Sequence, residues 1–204
     1  MKTMKKIILL LTLIPILTFA QTNKKENVIK MTTKYGSENQ EFQDILTFQR
    51  IDYYKTKFSG ADLKGKNYSL IVKEVWKGKI KKIDTVINSA KEKYISPIKS
   101  ETFNIRVTSK KVSKKKLKVN FRFPGFGSEL TYKATKSDEY SLRDVGTKIE
   151  IKSGNSFYAF AYILPYEKGD YKYWCAVEDS GKNIENWGKE FGIKHYLIFE
   201  MKFE

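Results

Sequence analysis

Two neighbouring segments, TFNIRVTS (102–109) and KLKVNFRF (116–123), alternate strictly between apolar and polar side chains. A repeat of two residues fits a β-strand and not a helix, because successive side chains of a strand point to opposite faces of a sheet. The apolar side chains, from Phe103 in the first segment to Phe123 in the second, must therefore lie on a core. The polar ones then face water. The pair predicts an antiparallel hairpin at the surface of a β-rich fold.

Short segments of this kind recur along most of the chain and are separated by residues that favour turns. Residues 77–79 (KGK) and 153–155 (SGN) each lie between two such segments and predict further hairpins. About ten short strands at intervals of about 8–12 residues are typical of a β-sandwich or a barrel. We predict an all-β fold, a single antiparallel β-sandwich with a closed barrel as the alternative, and one short helix near residues 182–191.

The first twenty residues, MKTMKKIILLLTLIPILTFA, have the three parts of an export signal. A lysine-rich start precedes an apolar run from Ile7 to Leu17, and the small residue Ala20 ends the segment. The apolar run is shorter than the roughly 20 residues that a membrane-spanning helix needs. We therefore expect cleavage after Ala20, export to the periplasm or beyond the cell, and no transmembrane span in the mature chain.

The rest of the chain predicts one domain preceded by a short arm. Residues 21–41 are polar and lack periodicity, so they predict a flexible N-terminal arm. Residues 42–204 have the length of one ordinary domain without an internal linker, and they predict a single β-sandwich domain. The single cysteine, Cys175, excludes an internal disulfide, so packing must stabilise the domain.

The one cysteine and the one histidine could form a catalytic dyad or could simply pack in the core. Cys175 and His195 both lie on predicted strands among apolar neighbours, which favours a buried thiol and a histidine at the edge of the core. One residue of each type cannot supply the several ligands of an ordinary zinc site. The sequence has no nucleophile, phosphate-binding or dinucleotide motif. We predict no catalytic residue, no metal and no cofactor, and a binding protein rather than an enzyme.

Charge is the feature of the sequence that points to a ligand. The chain has 39 lysines and arginines against 23 acids, a formal net charge of +16. KKVSKKKLK (110–118) forms the turn of the alternating hairpin, and the polar face of that hairpin adds further cations. Clustered cations attract polyanions over long distances. The predicted polyanion-binding residues are Arg106, Lys110, Lys111, Lys114, Lys115, Lys116, Lys118 and Arg122.

The lysines also have a simpler interpretation, which is that they only keep the protein soluble. Lysine is the weaker choice for bidentate binding of phosphate or carboxylate, and only four of the basic residues are arginine. Lysines at hairpin tips also prevent aggregation between strand edges. If the charge does bind a ligand, export points to an acidic glycan or lipopolysaccharide, and not to a specific nucleic acid. A protein partner is a further candidate.

Aromatic residues and acids leave two alternative functions open. The tryptophans could stack on sugars, but Trp76 shares a strand face with Tyr68 and Leu70, which indicates the core. A hollow, lipocalin-like barrel could carry an apolar ligand among its Tyr and Phe side chains. Carboxylates paired by folding could make a hydrolase of envelope polymers. We expect an exported, envelope-associated binding protein, with the carrier and the hydrolase as alternatives.

Several longer stretches of the chain carry a resemblance to other proteins: FQRIDYYKTKFSGADLKGK (48–66), SDEYSLRDVG (137–146), AYILPYE (161–167) and NIENWGKEFGIKHYLIFEMKFE (183–204). They resemble stretches of a family of small exported proteins of unknown function from Gram-negative bacteria. The likeness runs over most of the chain that follows the signal. It implies an exported β-rich domain, and it assigns no catalytic or binding residue.

Overall fold

The computed structural model describes residues 28–174 and 183–204. The predicted signal peptide (1–20), the first part of the predicted arm and Cys175 therefore lie outside the described residues. Two antiparallel sheets face each other across one core, and a two-stranded ribbon completes the fold. The all-β prediction is confirmed, and the strands divide between two sheets, as in a sandwich, instead of closing into one barrel.

The elements are short and follow one another closely along the chain. The strands of the described residues are β1 (Val28–Tyr35), β2 (Asp52–Ser59), β3 (Tyr68–Trp76), β4 (Lys79–Asn88), β5 (Thr102–Ser113), β6 (Lys116–Phe123), β7 (Phe126–Lys133), β8 (Ser141–Asp144), β9 (Ile151–Lys152), β10 (Ser156–Ile163), β11 (Tyr166–Lys168), β12 (Tyr171–Tyr173) and β13 (His195–Phe203). The helices are α1 (Gln40–Phe48) and α2 (Trp187–Glu190), with 3-10 turns at Ala61–Leu63, Ser89–Lys91 and Ile184–Asn186.

The two large sheets are built from different sets of strands. The front sheet has the strand order β7-β6-β5-β2-β1-β9, and the back sheet has the order β4-β3-β13-β10-β8. β11 and β12 form the ribbon. The last strand, β13, lies in the middle of the back sheet, which explains why its side chains are buried on both faces.

Aromatic side chains fill the space between the two sheets. The rings of Phe58 and Phe203 have their centroids 5.2 Å apart, and the rings of Phe121 and Phe199 are also 5.2 Å apart. All four side chains are fully buried. Burying one such side chain contributes about 2–3 kcal/mol to the free energy of unfolding. These rings fill the region of the core around them, and the carrier alternative stays a prediction.

Two of the predicted hairpins are formed as expected. β5 pairs with β6, and its inward side chains, such as Val107, lie opposite inward side chains of β6, such as Phe121. β3 and β4 are joined by Lys77 and Gly78, which both have positive φ angles (49° and 69°). Two consecutive residues with positive φ are typical of the tight turn that matches the twist of a hairpin.

The hairpin predicted around residues 153–155 is wrong, because this turn connects the two sheets. The strand before it, β9, pairs with β1 in the front sheet, whereas the strand after it, β10, pairs with β13 and β8 in the back sheet. Gly154 N donates a hydrogen bond to Phe203 O at 2.7 Å, which holds the turn against the back sheet. A sandwich needs such crossings, and a local pattern of turn residues does not distinguish a crossing from a hairpin.

The flexible arm predicted for residues 21–41 is wrong from residue 28 onward. β1 is a strand of the front sheet that pairs with β2 from Lys30 opposite Ser59 to Tyr35 opposite Tyr54. Its buried side chains are Ile29 and Met31, too few to show periodicity in a polar segment. The domain therefore begins before residue 42. The segment after β1 is the helix α1. Asn39 caps its first turn by accepting a hydrogen bond from Phe42 N at 2.8 Å.

The short helix predicted near residues 182–191 is present as a 3-10 turn at 184–186 followed by α2. An ion network ties it to the outer face of the back sheet. Lys73 Nζ lies 2.6 Å from Glu185 Oε1 and 2.6 Å from Glu200 Oε2. Burial would lower the pKa of Lys73, but the hydrogen bonds to Glu185 and Glu200 raise the pKa overall.

Gly188 in α2 lies against the turn between β3 and β4. A Cβ atom at Gly188 would approach Gly78 N to 2.6 Å and Gly78 Cα to 2.7 Å, which are backbone atoms that cannot turn away. The glycine weakens the helix by itself, yet it permits the close contact between helix and hairpin.

We expect Gly188→Ala to destabilise the protein by about 1–3 kcal/mol, because the added methyl group forces the hairpin turn away from α2. Helix propensity alone would predict the opposite, a gain of up to about 1 kcal/mol. Urea unfolding measures the change, with Lys189→Ala as the control at the exposed neighbouring position. A stabilised Gly188→Ala variant would show that the contact does not constrain the fold.

Candidate polyanion-binding site

The outer face of the front sheet carries four of the predicted polyanion-binding residues. Because β5 and β6 alternate between inward and outward side chains, Arg106, Lys110, Lys118 and Arg122 all point outward. Together with Phe42 from α1 they line an open groove of about 430 Å³. The prediction that this face is cationic is therefore consistent with the fold, and the groove gives it a concave shape.

The strand register places four cations in one line across the front sheet. Arg106 lies directly opposite Arg122 on β6 and directly opposite Lys55 on β2. Lys55 in turn lies opposite Lys34 on β1. We call these four residues the basic row. Neighbouring strands are about 4.8 Å apart, so the row extends over about 14 Å.

The basic row works against the stability of the sheet. Like charges that lie directly opposite each other on neighbouring strands destabilise the pair. Lys34 has an acidic partner, Glu38, at 2.8 Å, and both side chains are exposed. Across the part of the chain that the structure describes, Lys55, Arg106 and Arg122 are not in any ion pair. Three of the four cations of the row are therefore available to an anionic ligand.

A glycine makes room for one end of the row. Gly127 on β7 lies opposite Arg122. A Cβ atom at Gly127 would lie 2.7 Å from Arg122 Nη1, so the guanidinium group extends over the place where a side chain would be. The arginine therefore lies along the sheet surface, where its planar group can face a ligand.

Lys111 does not belong to this face, and its prediction as a binding residue is wrong. It follows the inward residues of β5 and lies opposite Leu117. Its Nζ atom donates hydrogen bonds to Lys136 O at 2.8 Å, Ser137 O at 2.8 Å and Asp138 Oδ1 at 2.7 Å. The ammonium group is thus used to hold the loop that follows β7.

The three lysines at the hairpin tip lie away from the basic row. Lys114 and Lys115 form the exposed turn, and Lys116 begins β6 opposite Lys133. The sequence placed the centre of the site at this tip. The directly opposed cations lie instead in the middle of the sheet and include Lys34 and Lys55, which sequence reasoning missed. The alternation of residues 52–58 could have revealed Lys55, whereas Lys34 was hidden in the predicted arm.

An exposed apolar stripe borders the groove. It consists of Phe42, Ile45 and Phe48 on α1, whose side chains are 44%, 56% and 83% exposed. The helix is held beside the sheet by contact of the Phe42 ring with Tyr53, at 6.1 Å between centroids. Lys110 Nζ also donates a hydrogen bond to Gln49 Oε1 at 2.7 Å, just after the helix. Large apolar groups clustered on a surface mark a contact with another molecule.

His195 is fully buried and packs against Trp76, which lines a second cavity of about 880 Å³ between the β3–β4 hairpin and β7. Tyr140 Oη accepts a hydrogen bond from Thr135 N at 3.0 Å and lies 2.7 Å from His195 Nδ1. Tyr140 Oη also donates a hydrogen bond to Thr135 Oγ1 at 3.3 Å, so its contact with Nδ1 is compatible with either neutral tautomer of the imidazole. Nε2 is 3.4 Å from Glu74 Oε1. The prediction of a histidine in the core is confirmed, and its dyad with Cys175 lies outside the described residues.

Burial decides the protonation state of His195. It lowers the pKa of the imidazole from 6.5 to about 4, because the charged form loses its water. The side chain of His195 is fully buried, and Glu74 Oε1 lies 3.4 Å from its Nε2. The imidazole is thus neutral at neutral pH.

Two acidic side chains line one cleft, and the hydrolase alternative requires such a pair. Glu139 and Glu167 line a cleft beside β11. Lys172 Nζ binds both oxygens of Glu139, at 2.7 and 2.8 Å, so this carboxylate is already neutralised. The hydrolase alternative stays a prediction.

Comparisons of the chain with protein-family models, with curated proteins and with solved structures found no match. Within residues 28–174 and 183–204, no three His, Cys, Asp or Glu side chains are grouped so that they could hold a metal ion. None of the helices in those two ranges is long and apolar enough to cross a membrane. The function must therefore be inferred from the geometry of the surface.

We expect the protein to lose up to about 3 kcal/mol of unfolding free energy through His195 as the pH falls from 6.5 to 4. In that window the unfolded chain binds a proton at this residue and the folded chain does not. Urea unfolding at intervals between pH 7.5 and pH 4 measures the loss. The control is His195→Gln, which cannot titrate, while other groups such as Asp52 titrate equally in both proteins. If the stability difference between the two proteins is independent of pH, the buried imidazole does not have the lowered pKa.

Proposed function

We propose that this protein is an exported, envelope-associated binding protein whose front sheet holds an anionic polymer on its outer face. The observation that carries the proposal is the basic row, in which three of the four cations have no ion-pair partner among the residues that the structure describes. The signal-like first twenty residues support export. The net charge of +16 favours association with polyanions.

The use of arginine in the row supports ligand binding over mere solubility. The chain has only four arginines, and two of them, Arg106 and Arg122, are direct neighbours in the basic row. The planar guanidinium group binds phosphate and carboxylate through two parallel hydrogen bonds. Protection against edge aggregation does not explain this placement, since β5 and β2 lie in the interior of the front sheet.

The exposed apolar stripe favours lipopolysaccharide over a purely polar acidic glycan. Phe42 lines the same groove as Arg106 and Arg122, so apolar and cationic groups form one continuous surface. A ligand that matches both parts has phosphates for the row and acyl chains for the stripe, as lipopolysaccharide does. Binding at such an interface scales with buried apolar area plus the attraction between opposite charges.

We expect Arg106→Glu/Arg122→Glu to weaken lipopolysaccharide binding at least tenfold at physiological salt. The slope of the logarithm of the binding constant against the logarithm of the salt concentration should become less steep by about 2. Two anions in place of two cations repel the phosphates that the row would neutralise. Titration of the purified protein with lipopolysaccharide, polygalacturonate and single-stranded DNA across salt concentrations measures the effect.

Two matched variants change the net charge by the same amount at other places. Lys114→Glu/Lys115→Glu changes the hairpin tip, and Lys91→Glu/Lys93→Glu changes an exposed loop away from the front groove. The proposal requires the row variant to lose far more affinity than either of these. Equal losses in all three variants would mean that binding depends only on net charge, and stronger binding of DNA would assign the face to nucleic acid.

We expect Ile45→Ser/Phe48→Ser to weaken lipopolysaccharide binding about tenfold and to leave polygalacturonate binding unchanged, since only the lipid has acyl chains to bury. Both side chains are largely exposed, so the melting temperature should not fall. Differential scanning calorimetry checks the fold and the same titrations measure affinity. Unchanged lipopolysaccharide binding would leave the apolar stripe without a role in this site.

A further inference from the structure

The second cavity has a buried floor and a charged rim. It lies between the β3–β4 hairpin of the back sheet and β7 of the front sheet, with a volume of about 880 Å³. Glu74 and Trp76 line its inner part, and Thr131 and Tyr132 come from β7. Five lysines also line it: Lys77, Lys79, Lys81, Lys82 and Lys133. A volume of several hundred Å³ is typical of small-molecule sites.

The floor is a carboxylate with unused hydrogen-bonding capacity. Glu74 is only 6% exposed, and its Oε1 accepts a hydrogen bond from Trp76 Nε1 at 2.8 Å. Over the described part of the chain, Oε2 has no hydrogen-bond donor, whereas Oε1 also lies 3.4 Å from Nε2 of the fully buried His195. Buried polar groups normally find partners, so a nearly buried carboxylate oxygen without a donor calls for a ligand that supplies one.

The rim calls for an anion. Lys82 is bound to Asp84 at 2.6 Å, while the ion pairs formed among the described residues include none of Lys77, Lys79, Lys81 or Lys133. Glu74 is therefore the one acid that lines a cavity with five lysines. A ligand with a negative group would neutralise the rim without approaching the floor.

Trp76 adds an aromatic surface between floor and rim. It is partly exposed, and one face of its indole packs on His195, with ring centroids 4.0 Å apart. The sequence predicts that Trp76 packs in the core. Its side chain does so on one face and also lines the cavity. Aromatic rings of this kind stack on the apolar faces of sugar rings.

We infer that this cavity binds a sugar unit that carries an acidic group. The hydroxyl groups of the sugar would donate to Glu74, its ring would stack on Trp76, and its acid would meet the rim lysines. The cavity shares no residue with the groove of the front sheet, so the inference does not depend on the proposed function.

The test uses the indole N–H signal of Trp76, a reporter inside the cavity, in 15N-labelled protein. Tetragalacturonate is the probe, with neutral maltotetraose and tetraglutamate as controls for the ring and for the charge. We expect tetragalacturonate alone to shift the Trp76 signal in a saturable way. Trp76→Phe assigns the signal.

Variants of the floor and the rim then locate the binding. Glu74→Gln and, separately, Lys79→Ala/Lys133→Ala should each weaken tetragalacturonate binding at least fivefold, while the front-sheet variant Lys55→Ala/Lys57→Ala leaves it within twofold. The two rim lysines are exposed, so that variant keeps the fold even if Glu74→Gln does not. Equal shifts with tetraglutamate, or a loss of binding only in the front-sheet variant, would overturn the inference.

Discussion

In the front sheet, Arg106 lies between two other cations, Arg122 on one neighbouring strand and Lys55 on the other. The same register places Val107 opposite Phe121 on the inner face. If β5 shifted by one residue relative to its neighbours, the cations on its outer face would be buried and its apolar side chains would be exposed. Each buried aliphatic or aromatic side chain contributes about 1.5–3 kcal/mol, whereas a pair of opposed like charges costs up to about 1 kcal/mol. The core therefore holds the basic row in place against its own repulsion.

Sequence patterns predicted the elements whose periodicity is strong, and they failed where the deciding contact is distant. The alternation from Phe103 to Phe123 was enough to predict the hairpin and its outward cations. β1 has only Ile29 and Met31 to mark its buried face, so its polar residues concealed it. In the sequence Lys111 cannot be distinguished from the other lysines of residues 110–118. Only the folded structure shows that its ammonium group is bound to Asp138. The row itself depends on which strands become neighbours, which no local pattern records.

The two sites are connected through one strand. Along β7, Glu129 lines the groove of the front sheet, while Thr131, Tyr132 and Lys133 line the second cavity. Lys133 lies opposite Lys116, and Thr131 lies opposite Lys118, so cations continue from the front face to the rim of the cavity. A single strand thus presents a sheet surface and a cavity wall with residues that are close in sequence. Along this line Lys118 is paired with Glu129 at 2.9 Å, so the positive surface between the two sites contains an acid.

The spacing of the basic row is a property of the backbone and not of the side chains that form it. Hydrogen bonding between strands fixes the interval between the backbones of neighbouring row residues at about 4.8 Å, and the side chains spread the charges around those points, as the guanidinium group of Arg122 does over Gly127. Substitutions can add, remove or invert a charge along this line, but none of them can stretch or compress it. The backbone of the sheet therefore sets a regular spacing for the residues of the row. If the row binds a polymer, one whose charges repeat near this interval or a multiple of it fits the row with the least rearrangement of the lysine and arginine side chains.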